Sequence, residues 1–276
     1  MTTTDSPGVE VASVVFAAGK GTRMLGYAGN KTLLPLIPRG SAYEGEQPLL
    51  FEVLQNLPPG PVGIVVNHCA GDIEQATQQF SVTYIPQPVT NGTGGALLAA
   101  RSFLETAGPP VVIITMGDVP LIRRTTYTRL LEKLTAHPLA VLAFQPEDRA
   151  QYGMLEMDGD RVLRIVEWKY WHTWPSDEQA RLRWGNAGVY AAQRKVLLEY
   201  MDHLARQPHH VRKQRDGAWV AVEEYFLTDL VKLMSRDGLP VGWVPTDEVE
   251  VTGVDTPEAL QTVQSRYRQN PAKERQ

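Results

Sequence analysis

Residues 11–24 read Val-Ala-Ser-Val-Val-Phe-Ala-Ala-Gly-Lys-Gly-Thr-Arg-Met. A nearly unbroken apolar run ended by glycines is the pattern of a strand buried on both faces, and such strands belong to parallel sheets covered by helices. The texture recurs at 62–68 (VGIVVNH), 82–86 (VTYIP) and 111–116 (VVIITM), alternating with helix-like segments near 48–56, 72–79, 93–105 and 125–136. This alternation makes the fold class α/β: a Rossmann-like, mixed but mainly parallel central sheet with helices on both faces. Ligands of open sheets in that class sit outside the carboxyl ends of the strands, which directs attention to Gly19, Gly21 and Asp118.

The second half reads differently. A run at 140–145 (AVLAFQ) is followed by 153–157 (GMLEM) and 161–167 (RVLRIVE), a hairpin turned by Asp158-Gly159-Asp160. A polar, Trp-rich segment at 168–184 leads to a strand at 187–192, a helix at 194–206 and a His/Arg/Lys-rich loop at 207–217. A helix at 224–236, a strand at 241–245 and a last helix begun by Pro257 complete the order. Without a repeat or long linker, residues 11–268 are expected to form a single domain between a flexible N-terminus (1–10) and a polar C-terminal tail (269–276).

The 276 residues are 43% hydrophobic, and 27 basic side chains face 31 acidic ones for a net charge of −4. Such a composition supports a continuous core and argues against disorder and against a protein built to grip a nucleic-acid backbone. Residues 1–10 lack the basic head and apolar stretch of a signal peptide, and no apolar run approaches the roughly 20 residues of a membrane span. Neither nucleic acid nor membrane is therefore an expected partner, and a cytoplasmic location is expected. The single cysteine, Cys69, allows no intrachain disulfide and is read as a buried, inert thiol. His209-His210 and His68 beside Cys69 lack further ligands at zinc spacing, and neither pair is assigned a catalytic role.

Three loops carry candidate chemistry. In Ala17-Ala18-Gly19-Lys20-Gly21-Thr22-Arg23, the glycines let backbone N–H groups approach a phosphate, while Lys20 and Arg23 bring positive charge. An ordinary Gly-rich turn with two solvated cations has the same appearance. The run is neither a Walker loop, whose Gly-Lys-Ser/Thr ending is missing, nor the usual dinucleotide fingerprint, because Met24 stands where the third glycine belongs. In the second loop, Asn91-Gly92-Thr93-Gly94-Gly95-Ala96, small residues would let a base or ribose approach, with Thr93 or Asn91 capping a helix and Gln87 offering an amide to a base edge. A plain capped loop is the alternative. In the third, Asp118 of Gly117-Asp118-Val119-Pro120 ends a strong apolar run and suits Mg²⁺, as does Asp255 of Val254-Asp255-Thr256-Pro257; either aspartate is equally suited to capping a turn or helix.

These motifs, with Lys31 in NKTLLP, YGML followed by RIVEWK, then GNAGVY, EEYFLTDL and VTGVDT, resemble the sugar-1-phosphate nucleotidyltransferases. The similarity is nearest to the N-terminal uridylyltransferase domain of the bifunctional bacterial enzyme that forms UDP-N-acetylglucosamine. It runs in the family's order from residue 12 to 268 and does not extend to that enzyme's left-handed β-helix. The resemblance implies a nucleotide-diphospho-sugar transferase fold, and residues 11–268 acting as one nucleotidyltransferase catalytic domain. It implies that the 17–22 loop and Arg23 wrap a triphosphate, that Lys31 contacts phosphate near the reacting centre, and that Gln87, Gly92 and Thr93 surround the base. Asp118 and Asp255 would hold Mg²⁺, with aspartate at 255 where the nearest relatives usually carry asparagine. Tyr152, Gly153, Glu167 and Asn186 would line the sugar phosphate.

The implied reaction transfers a nucleotidyl group from an NTP, UTP first and dTTP as its close substitute, to a sugar 1-phosphate such as N-acetylglucosamine 1-phosphate. Departures gather on the acceptor side: Met154 follows Tyr152-Gly153 where relatives often have arginine, Ala187 replaces a threonine, and Trp168, Trp171, Trp174 and Trp184 crowd one segment. Cytidylyl or guanylyl transfer to another phosphorylated acceptor, and a nucleotide-binding regulator without turnover, are the competing readings. The Trp-rich segment and the terminal helix are candidate surfaces for a homo-oligomer.

Overall fold

A computed structural model describes residues 10–24, 26–149, 151–215 and 218–269. Its strands are β1 (Val11–Phe16), β2 (Pro35–Arg39), β3 (Ser41–Pro48), β4 (Val62–Val66), β5 (Val82–Pro86), β6 (Val111–Met116) and β7 (Leu139–Phe144), followed by β8 (Met154–Asp158), β9 (Arg161–Val166), β10 (Gly185–Gln193), β11 (His209–Arg215), β12 (Ala218–Glu224) and β13 (Val241–Thr246). The central sheet has the order β13-β7-β10-β6-β1-β4-β5. Pairings β1–β4, β1–β6, β4–β5 and β7–β13 are parallel, and β10 runs antiparallel between β6 and β7. The sheet is thus mixed and mainly parallel. The antiparallel strand has a consequence for function, because it starts at the edge where its parallel neighbours end.

Alternation along β1 divides the core. Ala12, Val14 and Phe16 pack with Leu97, Leu104, Leu197, Met201 and Met234 from the helices Thr93–Ala99, Arg101–Thr106, Arg194–Ala205 and Asp229–Arg236. Val11 and Val15 face the opposite way, toward Leu50, Val53, Ile73, Tyr127 and Leu130 of the helices Leu49–Asn56, Ala70–Ala76 and Arg124–Lys133. A strand covered on both faces has no polar side to mark its register, which is why these segments read as continuous apolar runs. A smaller core joins Met24, Leu34, Leu36 and Val254 to Leu260 and Val263 of the last helix, Pro257–Arg268. Gln264 of that helix donates to the carbonyls of Pro35 at 2.8 Å and Ala42 at 2.9 Å, fastening it to the β2–β3 hairpin.

The structure departs from the sequence pattern in several places. The loop expected at 207–217 contains β11, which pairs with β12, so the following helix starts at Asp229 instead of 224. That hairpin forms its own two-stranded sheet, and Trp219 on it is 62% exposed. Strands with no share in the central core need no apolar alternation, which left the segment reading as polar loop. The β2–β3 hairpin was equally hidden, by its prolines and glycines. The helix expected over 93–105 breaks at Ala100 into two. Cys69 is partly exposed instead of buried. Of the expected flexible ends, residues 1–9 and 270–276 lie outside the described residues. No helix among the described residues is long and apolar enough to cross a membrane.

Ser13, at the centre of β1, is fully buried and its Oγ has no hydrogen-bond partner. An unpaired buried hydroxyl costs about 1–3 kcal/mol, so Ser13→Ala is expected to leave stability unchanged or to raise it. Urea unfolding of both proteins measures this. A loss greater than about 1 kcal/mol would show that the hydroxyl is paired in solution.

Candidate active site

At the carboxyl edge of the sheet, the N–H of Gly117 donates to the Phe16 carbonyl at 2.9 Å, holding the Asp118 loop against the first glycine loop. A Cβ at Gly117 would stand 3.1 Å from Thr32 Cγ2, so the crossing is tight. The N–H of Val254 donates to the Asp118 carbonyl at 3.0 Å and brings Asp255 to the same place. The Lys31 ammonium contacts both Asp118 Oδ2 and Asp255 Oδ1. Arg23 Nη2 reaches Asp255 Oδ2 at 2.8 Å. Burial alone would push the Lys31 amine down, but Asp118 and Asp255 outweigh it and hold the ammonium above the usual lysine range.

Asn30, 1% exposed, is the residue that aims Lys31. Its Nδ2 donates to the carbonyls of Ala17 at 2.8 Å and His68 at 2.9 Å. Its Oδ1 accepts from Thr32 N at 3.0 Å and Thr32 Oγ1 at 2.8 Å. A single amide therefore ties the glycine loop, the turn after β4 and the short 3₁₀ helix Lys31–Leu33, using its full donor capacity. Sequence reading passed over it, although Asn before Lys-Thr is a capping signal. The capping alternative for Asp255 is excluded: Thr256 caps the last helix, accepting from Ala259 N at 3.3 Å, and Pro257 opens it.

Behind the charged cluster is a cavity of about 410 Å³. Ala17, Ala18, Gly19 and Lys20 of the first glycine loop line it together with Gln87, Gly92, Thr93, Lys31 and Asp118. Gly21, Thr22 and Arg23 lie beyond this lining, with Gly21 at φ +59° packed on the Lys31 stem. The second glycine cluster, besides lining the cavity at Gly92, is packed closely by other parts of the chain. A Cβ at Gly92 would come within 2.4 Å of the Tyr225 carbonyl oxygen, one at Gly94 within 2.7 Å of Tyr225 C, and one at Gly95 within 1.8 Å of Asn91 Oδ1. These glycines admit a neighbouring chain segment. Thr93 and Asn91 do not cap the helix either: Gly92 stands at the cap, Thr93 Oγ1 accepts from Leu227 N at 3.1 Å, and Asn91 Oδ1 accepts from Gln87 Nε2 at 3.2 Å.

The remaining candidates, Tyr152, Gly153, Glu167 and Asn186, are not part of the first cavity's lining. Asn186 is the second residue of β10, and its Oδ1 accepts from Gly188 N and Tyr190 Oη, each at 3.0 Å, at the bulge in that strand, leaving the Nδ2 donor for other use. Asn186 N donates to Gly153 O at 2.8 Å. Gly153 faces Glu167, whose Oε1 accepts from Thr228 Oγ1 at 2.8 Å at the wall of a second cavity of about 340 Å³. Tyr152 packs edge-on against Phe144 at 5.0 Å. The tryptophans have separate employments: Trp171 is buried and donates to Tyr152 O at 2.8 Å, Trp184 packs on Trp243 at 4.6 Å, and Trp174 lines the second cavity.

The donors at Asp118 and Asp255 fit a hard divalent ion. Mg²⁺ commonly takes one or two carboxylates from a protein and completes its shell with phosphate oxygens and water. No group of three or more His, Cys, Asp or Glu gathers among the described residues, so this pair would depend on phosphate oxygens.

Residues 13–221 match the MobA-like NTP transferase domain. The bifunctional protein GlmU of Cereibacter sphaeroides is 32% identical over 262 residues, which is 93% of this chain and 52% of that protein. The GlmU protein of Pseudomonas syringae pv. syringae is 29% identical over 262 residues, 94% of this chain and 52% of its own length. The chain thus spans about half the length of these relatives. Among solved structures, a putative glucose-1-phosphate thymidylyltransferase from Bacillus anthracis is similar at TM-score 0.66 and 18% identity, covering 94% of this chain and 95% of that one. A CMP:2-keto-3-deoxy-manno-octonic acid synthetase complexed with CTP reaches TM-score 0.62 at 18% identity, with 94% and 99% covered. At such identities the likeness is one of fold. The family match itself runs from β1 into the β11–β12 hairpin and takes in every residue that lines the first cavity except Glu224, and the chain is accordingly a nucleotidyltransferase belonging to the MobA-like NTP transferase family.

Proposed function

We propose that the protein transfers a nucleotidyl group from an NTP, with UTP as donor and dTTP as its close substitute, to a sugar 1-phosphate, releasing pyrophosphate. The observation that carries this reading is the meeting of Lys31, Arg23, Asp118 and Asp255 in one ion-pair cluster, of which Lys31 and Asp118 line the same cavity as the first glycine loop. The resemblance of the sequence motifs to the uridylyltransferase domain of the enzyme that forms UDP-N-acetylglucosamine adds support for a sugar-phosphate acceptor, N-acetylglucosamine 1-phosphate among them.

The chemistry asks little of the protein in the way of proton transfer. An acceptor phosphate oxygen, already anionic at neutral pH, attacks the α-phosphorus; the bond to the bridging oxygen breaks, and pyrophosphate leaves with the electron pair. Positioning and neutralisation of charge therefore do the catalysis. The N–H groups around Gly19 and the Lys20 ammonium hold the triphosphate, and Lys31, aimed by Asn30, stabilises negative charge at the reacting phosphate. Asp118 and Asp255 would hold Mg²⁺, which on binding neutralises and orients the phosphate oxygens. The Asn186 amide and the Glu167 carboxylate orient the acceptor's hydroxyls. Gln87 fixes the loop beside the base.

Three outcomes are expected. Purified protein given a panel of NTPs and phosphorylated acceptors should release pyrophosphate with UTP and a sugar 1-phosphate, read by product mass; turnover only with another base, or only with a non-sugar phosphate, would replace the substrate assignment. Asp118→Ala and Asp255→Ala should each lower Mg²⁺-supported turnover by at least about a hundredfold. Asp255→Ala should keep the parent melting temperature, because Thr256 supplies the helix cap.

The next two substitutions separate nucleotide from acceptor. A Cβ at Gly19 meets nothing within 4 Å, so Gly19→Val should fold normally yet weaken NTP binding; unchanged NTP affinity would remove this loop from the site. Asn186→Asp keeps an oxygen for Gly188 and Tyr190 but removes the amide donor. Its efficiency toward the acceptor should fall by about tenfold or more while NTP affinity, titrated without acceptor, is retained. Equal losses in both would give Asn186 a structural role only.

A further inference from the structure

Another acidic side chain, outside the first cavity, is built into the same framework. Glu250, 5% exposed, lies in the 3₁₀ helix Glu248–Val251 just ahead of Gly253-Val254-Asp255. Its Oε1 accepts from Arg123 N at 2.9 Å and Thr126 Oγ1 at 2.5 Å, and its Oε2 accepts from Thr246 Oγ1 at 2.7 Å. Arg123 precedes the helix Arg124–Lys133, which has no side-chain cap from that residue. Glu250 supplies the helix start with an acceptor from a distant part of the chain, and its charge lies at the positive end of the helix.

The connections close into a ring. From Asp118 the chain runs to Arg123, whose N–H bonds to Glu250; from Glu250 it runs to Val254, whose N–H returns to the Asp118 carbonyl at 3.0 Å. Val119, Ile122 and Val251 belong to one core cluster along this ring, and a Cβ on Gly253 would stand 3.8 Å from Val119. Apolar packing alone holds segments close but lets them slide. Directional hydrogen bonds at two separated points fix their register.

We propose that Glu250 is a positioning residue: by fastening the Asp255 segment to the start of the helix that follows Asp118, it sets the spacing of the two carboxylates for a divalent cation. This rests on the metal-binding reading above. Residues that orient metal ligands from behind are commonly worth about 10–100-fold in metal affinity.

The test measures Mn²⁺ affinity in the presence of a non-hydrolysable UTP analogue, reading free Mn²⁺ by electron paramagnetic resonance well below each protein's melting temperature. Glu250→Ala should bind Mn²⁺ about tenfold or more weakly, with metal-free nucleotide affinity unchanged. Glu250→Gln, whose oxygen still accepts from Arg123 and Thr126 while its amide donates to Thr246, should stay within about threefold of the parent. Should Glu250→Ala fail to fold, Thr126→Val, which removes one donor at constant shape, replaces it and should weaken Mn²⁺ by a few-fold. Parent affinity in folded Glu250→Ala, or in Thr126→Val where that variant is the one used, beside lost binding in Asp118→Ala overturns the positioning role while sparing the metal reading. An equal loss in Glu250→Gln and Glu250→Ala also overturns it, since charge rather than fastening would then matter. Parent affinity in Asp118→Ala would sink the metal reading, and the ring's purpose with it.

Discussion

Asp118 and Asp255 both reach the ammonium of Lys31, and this contact sets the terms for the surrounding structure. Two carboxylates at one place repel, and that arrangement persists only where positive charge lies between them and the backbone beneath is held rigidly. Lys31 supplies the charge from a partly buried position, and Arg23 adds a second cation from the exposed side. The rigidity comes from hydrogen bonds made elsewhere. Asn30 fixes the turn that carries Lys31, the Val254–Asp118 bond joins the two acidic segments, and Glu250 anchors their far ends.

The central sheet decides what can be assembled around that cluster. Parallel strands deliver their loops to one edge, so β1, β5 and β6 bring the first glycine loop, Gln87 and Asp118 together although they are far apart in sequence. The antiparallel β10 does the reverse, starting at that edge instead of ending there, which puts Asn186 beside the loops of its neighbours. Its bulge between Asn186 and Tyr190 is tied by the Asn186 side-chain Oδ1, which accepts from Gly188 and Tyr190. One reversed strand thus adds a side chain that an all-parallel sheet would supply only from a loop.

Glycine has two employments within this edge. Gly19 borders open space, and its missing side chain leaves room at the cavity. Gly92, Gly94 and Gly95 border protein, and their missing side chains leave room for the Tyr225 backbone and the Asn91 side chain. The two clusters look alike in sequence. For Gly92 and Gly94 the difference rests on the Tyr225 segment packed against them, a contact between residues more than a hundred positions apart.

Much of this was legible in the chain itself. The apolar runs of β1, β4, β5, β6 and β7 and the Asp-Gly-Asp turn of β8–β9 follow from local pattern, because burial on both faces and tight-turn chemistry leave their mark residue by residue. The glycine loop and Asp118 could be picked out for the same reason, since each follows such a run, whereas Lys31 is indicated only by the family resemblance. What could not be read were features whose cause lies across the fold. The β11–β12 hairpin makes its own small sheet without the apolar alternation of the core, Cys69 is partly exposed though it follows an apolar strand, and Thr256 rather than Asp255 caps the last helix. The couplings through Asn30 and Glu250 belong with them. A hydrogen bond between distant segments imposes no periodicity on either one, so sequence determined the strands and the loops at their ends, while tertiary packing decided which polar side chains those loops would meet.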